Sequence, residues 1–159
     1  MNDTANILIV DDEEVVRLSH LRSLVGSNCK TQVAECGNEA LRFMEQQPFD
    51  VILLDLCMPD LDGMDVLKTI KERWPCSEVV VITGYPTIES AKEAMRLGAH
   101  NYLAKPVGPN EVIKAANDAM IQKRWALRSE LKNRKAEYIV THQPMNPAVT
   151  RLPRIGAKS

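Results

Sequence analysis

The sequence predicts an α/β fold: a five-stranded parallel sheet, (β/α)5, with helices on both faces. Two observations predict it. Short aliphatic runs of strand length alternate strictly with segments whose apolar residues recur three or four apart, as parallel strands joined by crossover helices require. The central run, Val51-Ile-Leu-Leu54, is continuously apolar, as a strand covered on both faces must be.

The elements follow in order. Ile7–Val10, Thr31–Ala34, Val51–Leu54, Val79–Ile82 and the short Asn101–Ala104 read as buried strands. Between them, helical stripes are formed by Val15, Leu18, Leu21, Leu24 and Val25, then by Ala40, Leu41 and Met44. Val66, Leu67 and Ile70 mark the third helix, and Ile88, Ala91, Met95 and Leu97 the fourth. Gly26 and Gly98 close helices, Pro48 and Pro75 follow them, and Asp12 and Asn38 are placed to cap helix starts. From Pro109 to about Val140 no Gly or Pro interrupts the last helix, so it is longer than one domain needs. Its stripe of Ile113, Met120, Leu127, Leu131 and Tyr138 has near-heptad spacing, interrupted by Asn117, Arg124 and Arg134. The stretch after it carries Pro144, Pro147 and Pro153 without periodicity, which predicts a disordered tail.

Composition narrows the function classes. In 159 residues, 45% are hydrophobic and 26% charged, the balance of a folded protein. No apolar run approaches the roughly 20 residues that span a bilayer, and residues 1–10 lack the basic start of an export signal, so no membrane partner is expected. Cys29, Cys36, Cys57 and Cys76 form no CxxC pair, which favours reduced thiols in a cytoplasm over disulfides or zinc. The net charge of -1 conceals an asymmetry. Residues 1–120 hold 11 Lys+Arg against 19 Asp+Glu, and residues 121–159 hold 9 Lys+Arg against Glu130 and Glu137. The basic end is either a solvated helix face or a contact for an acidic partner.

In an open parallel sheet, ligands bind at the carboxyl ends of the strands, so the residues that follow each strand define the candidate site. Asp11 and Asp12 follow the first strand and Asp55 the third; Thr83-Gly84 ends the fourth and Lys105-Pro106 follows the fifth. Singly, each has a structural explanation: Asp11 to Glu14 suit a helix start, Asp55 a turn, Thr83 a strand end and Lys105 a solvated surface. Together they bring three carboxylates, a hydroxyl and an ammonium to one edge. Clustered carboxylates repel unless a cation screens them, and an all-oxygen set of this kind suits Mg2+. The ion would offset charge gathering on an incoming phosphoryl group, Lys105 and Thr83 would hold its oxygens, and Asp55 is the natural nucleophile.

Ile7-Leu-Ile-Val-Asp-Asp-Glu-Glu14, Asp55-Leu-Cys-Met-Pro-Asp-Leu-Asp-Gly63, Thr83-Gly84 and Lys105-Pro106 together resemble the receiver domains of two-component response regulators. The stretch Tyr85–Pro106 is most similar to receivers of the nitrogen-regulator class. The resemblance covers residues 5–122 and implies the flavodoxin-like strand order 2-1-3-4-5. Residues 123–140 then form a basic extension of the last helix and 141–159 the tail. The resemblance implies that Asp55 accepts phosphate from a sensor histidine kinase or phosphotransfer protein, and that the protein is a phosphoacceptor with self-phosphorylation and dephosphorylation chemistry rather than an enzyme. It implies Mg2+ held by Asp11, Asp12, Asp55 and the Cys57 backbone carbonyl, with Asp11 acting mainly through water. It makes Thr83 and Lys105 the phosphoryl contacts, Thr83 and Tyr102 the switch, and the Lys105-Pro106 bond cis. Cys57 and Tyr85 occupy the positions that tune phosphate lifetime, and a bulky Tyr85 predicts slow self-hydrolysis.

Output follows by the same resemblance: a changed face of the fourth helix, fifth strand and fifth helix, read by a downstream protein partner or by a homodimer. Members of the class continue into an ATPase domain and a helix-turn-helix. No GxxxxGK loop follows here, so a stand-alone receiver is expected over one cut from a longer chain. The alternative output is DNA bound by the basic helix Lys123–Lys135. A Mg2+-dependent aspartyl-phosphate phosphatase would need an acid where Cys57 stands. A calcium hand fails because Met58 and Thr69 would occupy its first and last positions.

Overall fold

A computed structural model describes residues 4–142 as five β/α units. The strands are β1 (Ala5–Val10), β2 (Cys29–Ala34), β3 (Val51–Leu54), β4 (Glu78–Thr83) and β5 (Asn101–Ala104). The helices are α1 (Glu14–Leu24), α2 (Gly37–Gln46), α3 (Gly63–Arg73), α4 (Ile88–Arg96) and α5 (Pro109–His142). All pairings are parallel and the order is β2-β1-β3-β4-β5, as expected.

Side-chain alternation along the inner strands divides the core in two. Leu8, Val10, Ile52, Leu54, Val79 and Val81 face α2 and α3, meeting Ala40, Met44, Val66, Leu67 and Ile70. Ile7, Ile9, Val51, Leu53, Val80 and Ile82 face α1 and α5, meeting Leu24, Val112, Ala115, Ala116 and Ala119. Double coverage explains why the inner strands read as unbroken apolar runs. β2 and β5 depart from the expected burial. They are edge strands with one neighbour each; Lys30 and Thr31 are exposed and β5 is only half-buried.

The expected helical stripes hold for α2 and α3 and fail for α1. There Val15 and Val25 are 78% and 80% exposed, while Arg17, His20 and Leu24 form the buried stripe. In α4 only Ala94 is buried, and Ile88 and Met95 face outward. Gly26 and Gly98 end their helices at φ of 84° and 100°, conformations that favour glycine.

Neither predicted cap acts as one. Glu13 occupies the N-cap position of α1 without a side-chain bond, while the Asp11 carboxylate accepts from the Glu13 N–H at 2.9 Å. In α2, Cys36 precedes the first helical residue, and Asp60, from the loop after β3, accepts from the Gly37 and Asn38 N–H groups at 3.1 and 2.9 Å. Desolvation pushes the Asp60 carboxyl up, but bonds from the Asn38, Gly37 and Leu61 N–H groups and from Cys36 outweigh it and hold it at about 2. Because that value lies below the unfolded one, the stabilisation is present above about pH 4 and is lost as pH falls through about 2. Asp60→Ala is expected to cost about 1 kcal/mol at neutral pH. Urea titrations of both proteins should show the gap closing in acid, and a pH-independent gap would contradict the cap.

The chain divides into two units, Met1–Leu127 and Arg128–Ser159, and α5 runs through the division. In the first, Lys123 pairs with Asp50, whose carboxylate also accepts from the Asn6 N–H at 2.7 Å, so that part of the expected basic extension is spent on a half-buried ion pair. In the second, Arg128–His142 is exposed helix, with the Tyr138 and His142 rings stacked at 4.1 Å. The predicted tail lies outside the described residues except for Thr141 and His142, which continue the helix. Among the described residues, no helix is long and apolar enough to cross a membrane.

Candidate functional site

Each strand of the inner sheet delivers one functional segment to the carboxyl edge. β1 ends in Asp11-Asp12, with the Asp11 N–H bonded to the Ala34 carbonyl at 3.2 Å. β3 ends in Asp55, whose N–H bonds to the Val10 carbonyl at 2.9 Å. Backbone pairing thus fixes the two buried acids side by side; they are 2% and 3% exposed. Asp12 is exposed beside them, and one carboxylate oxygen from each of the three lies within 4.8 Å of the others.

Lys105 enters from the loop after β5. Its Nζ donates to Asp11 Oδ2 at 2.7 Å and lies 3.5 Å from Asp55 Oδ2 and 3.6 Å from Glu13 Oε1. Burial pushes this ammonium down, but the hydrogen bond and charge of Asp11, with the charges of Asp55 and Glu13, outweigh it and leave the value raised. Burial pushes the Asp55 carboxyl up and the charge of Asp11 adds to this, while the Cys57 N–H and Lys105 pull it back without cancelling the rise. The Asp55 carboxyl is therefore a better base than an ordinary aspartate.

Thr83 is fully buried at the end of β4 and its carbonyl accepts from the Lys105 N–H at 2.8 Å. Its hydroxyl oxygen accepts from the Tyr85 N–H at 3.2 Å and sits 4.0 Å from the Cys57 thiol. Cys57 links the two strands' ends, since its N–H also donates to Asp55 Oδ1 at 3.2 Å. Beside this pair opens a hollow of about 420 Å3 lined by Cys57, Met58, Met64, Thr83, Tyr85 and Ser90. Tyr85 stands at its mouth, 78% exposed. Tyr102 is half-buried, and its hydroxyl pairs with Ser90 Oγ at 2.6 Å, not with Thr83. The Lys105-Pro106 bond is cis.

The carboxylates, Lys105, Thr83 and Cys57 are thus brought together, with Tyr102 and Tyr85 alongside. A mutually repelling, all-oxygen donor set, two of its three acids buried and the third open to solvent, beside one ammonium matches a hard cation such as Mg2+. Three participants were not anticipated from the sequence. Arg17 Nη1 donates to the Asp11 carbonyl at 2.8 Å. His20 is buried nearby; desolvation lowers its value, the Asp11 charge opposes this and Lys105 adds to it. Ser90 holds Tyr102 and also completes the α4 capping box with Thr87. The available signal was that Arg17, His20 and Leu24 repeat at helical spacing.

A model of the response regulator receiver domain matches residues 7–117. A putative response regulator, NtrX-like, of Rickettsia felis is 33% identical over 110 residues, 68% of this chain and 23% of that protein. The DNA-binding transcriptional regulator NtrC of Klebsiella pneumoniae is 35% identical over 112 residues, 70% of this chain and 24% of that protein. The chain spans about a quarter of the length of these curated relatives. Among solved structures, a CheY-like receiver domain protein from Methanospirillum hungatei superposes with a TM-score of 0.75 at 25% identity, covering 78% of this chain and 99% of that one. NtrX from Brucella abortus gives a TM-score of 0.74 at 30% identity, covering 82% of this chain and 30% of that one.

Proposed function

Because the chain belongs to the response regulator receiver domain family, whose members accept a phosphoryl group on an aspartate, we propose that Asp55 is the acceptor here and that a sensor histidine kinase or phosphotransfer protein is the donor. The observation that carries this assignment is the convergence of Asp11, Asp12, Asp55 and Lys105 at one rim. Asp11, Asp12, Asp55 and the Cys57 carbonyl would hold Mg2+, which supplies when bound a positive charge that favours the charge-rich transition state. A carboxylate oxygen of Asp55 attacks phosphorus, the phosphorus–nitrogen bond of the donor breaks, and its electron pair leaves with the imidazole. Lys105 exchanges its bond to Asp11 for one to a phosphoryl oxygen, and the Thr83 hydroxyl donates to another.

The added charge of about -2 draws Thr83 toward the phosphoryl group. Tyr102 then leaves Ser90 and turns inward, changing the α4/β5/α5 face; Ile88 and Met95 of α4 are exposed. A downstream protein or a second copy of the chain reads that face. We assign the receiver to residues 5–122, with 123–140 as its basic extension. The free cysteines fit a reducing cytoplasm. Tyr85 at the mouth of the hollow slows loss of the phosphoryl group.

The test is to incubate the full chain with acetyl phosphate and Mg2+ and follow its mass. One phosphoryl group should be gained, mapped to Asp55, suppressed by EDTA and retained for minutes or longer. Gain independent of the metal, or on another residue, contradicts the assignment. A lifetime of seconds contradicts the shielding. Sedimentation of the same samples decides the second-copy reading, which a monomer in both states removes.

A further inference from the structure

We infer that Arg17 is a positioning residue for the acidic rim, setting where Asp12 stands; this rests on the reading of Asp11, Asp12 and Asp55 as the cation-holding acids. Asp12 is exposed, and among the described residues its carboxylate has no hydrogen-bond partner. Its place depends on the backbone that carries it. The peptide group joining Asp11 to Asp12 is a rigid plane, so the direction of the Asp11 carbonyl fixes the start of Asp12. That carbonyl accepts from Arg17 Nη1 at 2.8 Å, while the Asp11 N–H is held by the Ala34 carbonyl at 3.2 Å and its Oδ1 by the Glu13 N–H at 2.9 Å. Arg17 therefore supplies the last tether of the turn.

The closest contact of the guanidinium is not its ion pair. Arg17 is 9% exposed, yet its acidic partner is the exposed Glu35, at 3.5 Å through one nitrogen. Its shorter bond goes to a neutral oxygen. A buried cation is costly to hold unless charge compensates it. Here, among the described residues, the counter-charge is the exposed Glu35 alone, and the closest contact that holds the guanidinium is the Asp11 carbonyl. Outer partners of metal-holding residues change affinity about 10- to 100-fold when removed.

The test uses the full chain, calorimetric Mg2+ binding and the Mg2+ dependence of phosphorylation by acetyl phosphate. Arg17→Met should weaken Mg2+ binding about tenfold while the rate at saturating Mg2+ falls far less. Arg17→Lys, which keeps one donor for the carbonyl but lacks the rigid fork, should weaken it about threefold. Glu35→Gln should leave binding unchanged. A purely structural Arg17 would lower the melting temperature without moving the Mg2+ constant, and that result overturns the inference. If Arg17→Met does not fold, Arg17→Lys decides alone, and a constant equal to the parent's overturns it. A parent that binds no Mg2+ overturns the proposed function as well, whereas a parent that binds it beside an equally competent Arg17→Met variant overturns this inference only.

Discussion

Asp55→Asn is expected to gain no mass from acetyl phosphate and to unfold at higher urea concentration than the parent at neutral pH, measured without Mg2+. The carboxamide keeps an oxygen for the Cys57 N–H, so the backbone turn at 3.2 Å survives while the nucleophile is lost. The stability gain follows from titration. Burial, then the charge of Asp11, raise the Asp55 carboxyl above its ordinary value despite the Cys57 N–H and Lys105. A carboxyl with a raised folded value contributes stability that is full below its unfolded value, near 4, and is lost as pH rises through the folded one. At neutral pH the ionised acid therefore opposes folding, and asparagine removes that opposition. The gap between variant and parent should close as pH falls toward about 4. A variant less stable than the parent at neutral pH would show that Lys105 outweighs burial. Continued mass gain would place the acceptor elsewhere.

Gly63→Ala is expected to lower stability by about 3 kcal/mol and to slow phosphorylation at the same time. A Cβ at Gly63 would stand 2.3 Å from Leu56 Cα, 2.7 Å from Leu56 O and 2.8 Å from Asp55 O. All three are backbone atoms, so no side chain can rotate away. Relief requires the segment carrying Asp55 to move, which links the stability loss to the chemistry. Gly108→Ala is the control: a Cβ there meets nothing within 4 Å, and its effect should stay within about 0.5 kcal/mol. Full phosphorylation at the parent rate by Gly63→Ala would show that the loop yields away from Asp55.

The inner strands were legible because burial on both faces leaves a continuous apolar run, and Val51–Leu54 is buried at every position. The carboxyl-edge residues were legible for a related reason: each polar residue that ends such a run is placed by the strand before it. The inward face of α1 was not. Its first turns lie beside the polar rim and only Leu21 and Leu24 reach the hydrocarbon core, so Arg17 and His20 are buried while Val15 faces water, and apolar periodicity misplaces the inward face. The cap of α2 was also hidden, because Asp60 lies 22 positions beyond Asn38 and only tertiary structure brings them together. Tyr102 was identified by resemblance, but its bond to Ser90, 12 residues earlier, carried no sequence signal.

The bond from Lys105 to Asp11 spans 94 positions of the chain, and β5 has β4 as its one neighbour in the sheet. A ribosome must therefore have released nearly the whole domain before any intermediate owns a complete rim. A nascent or clipped chain that lacks the fifth strand carries the three acids without the ammonium that stands beside two of them.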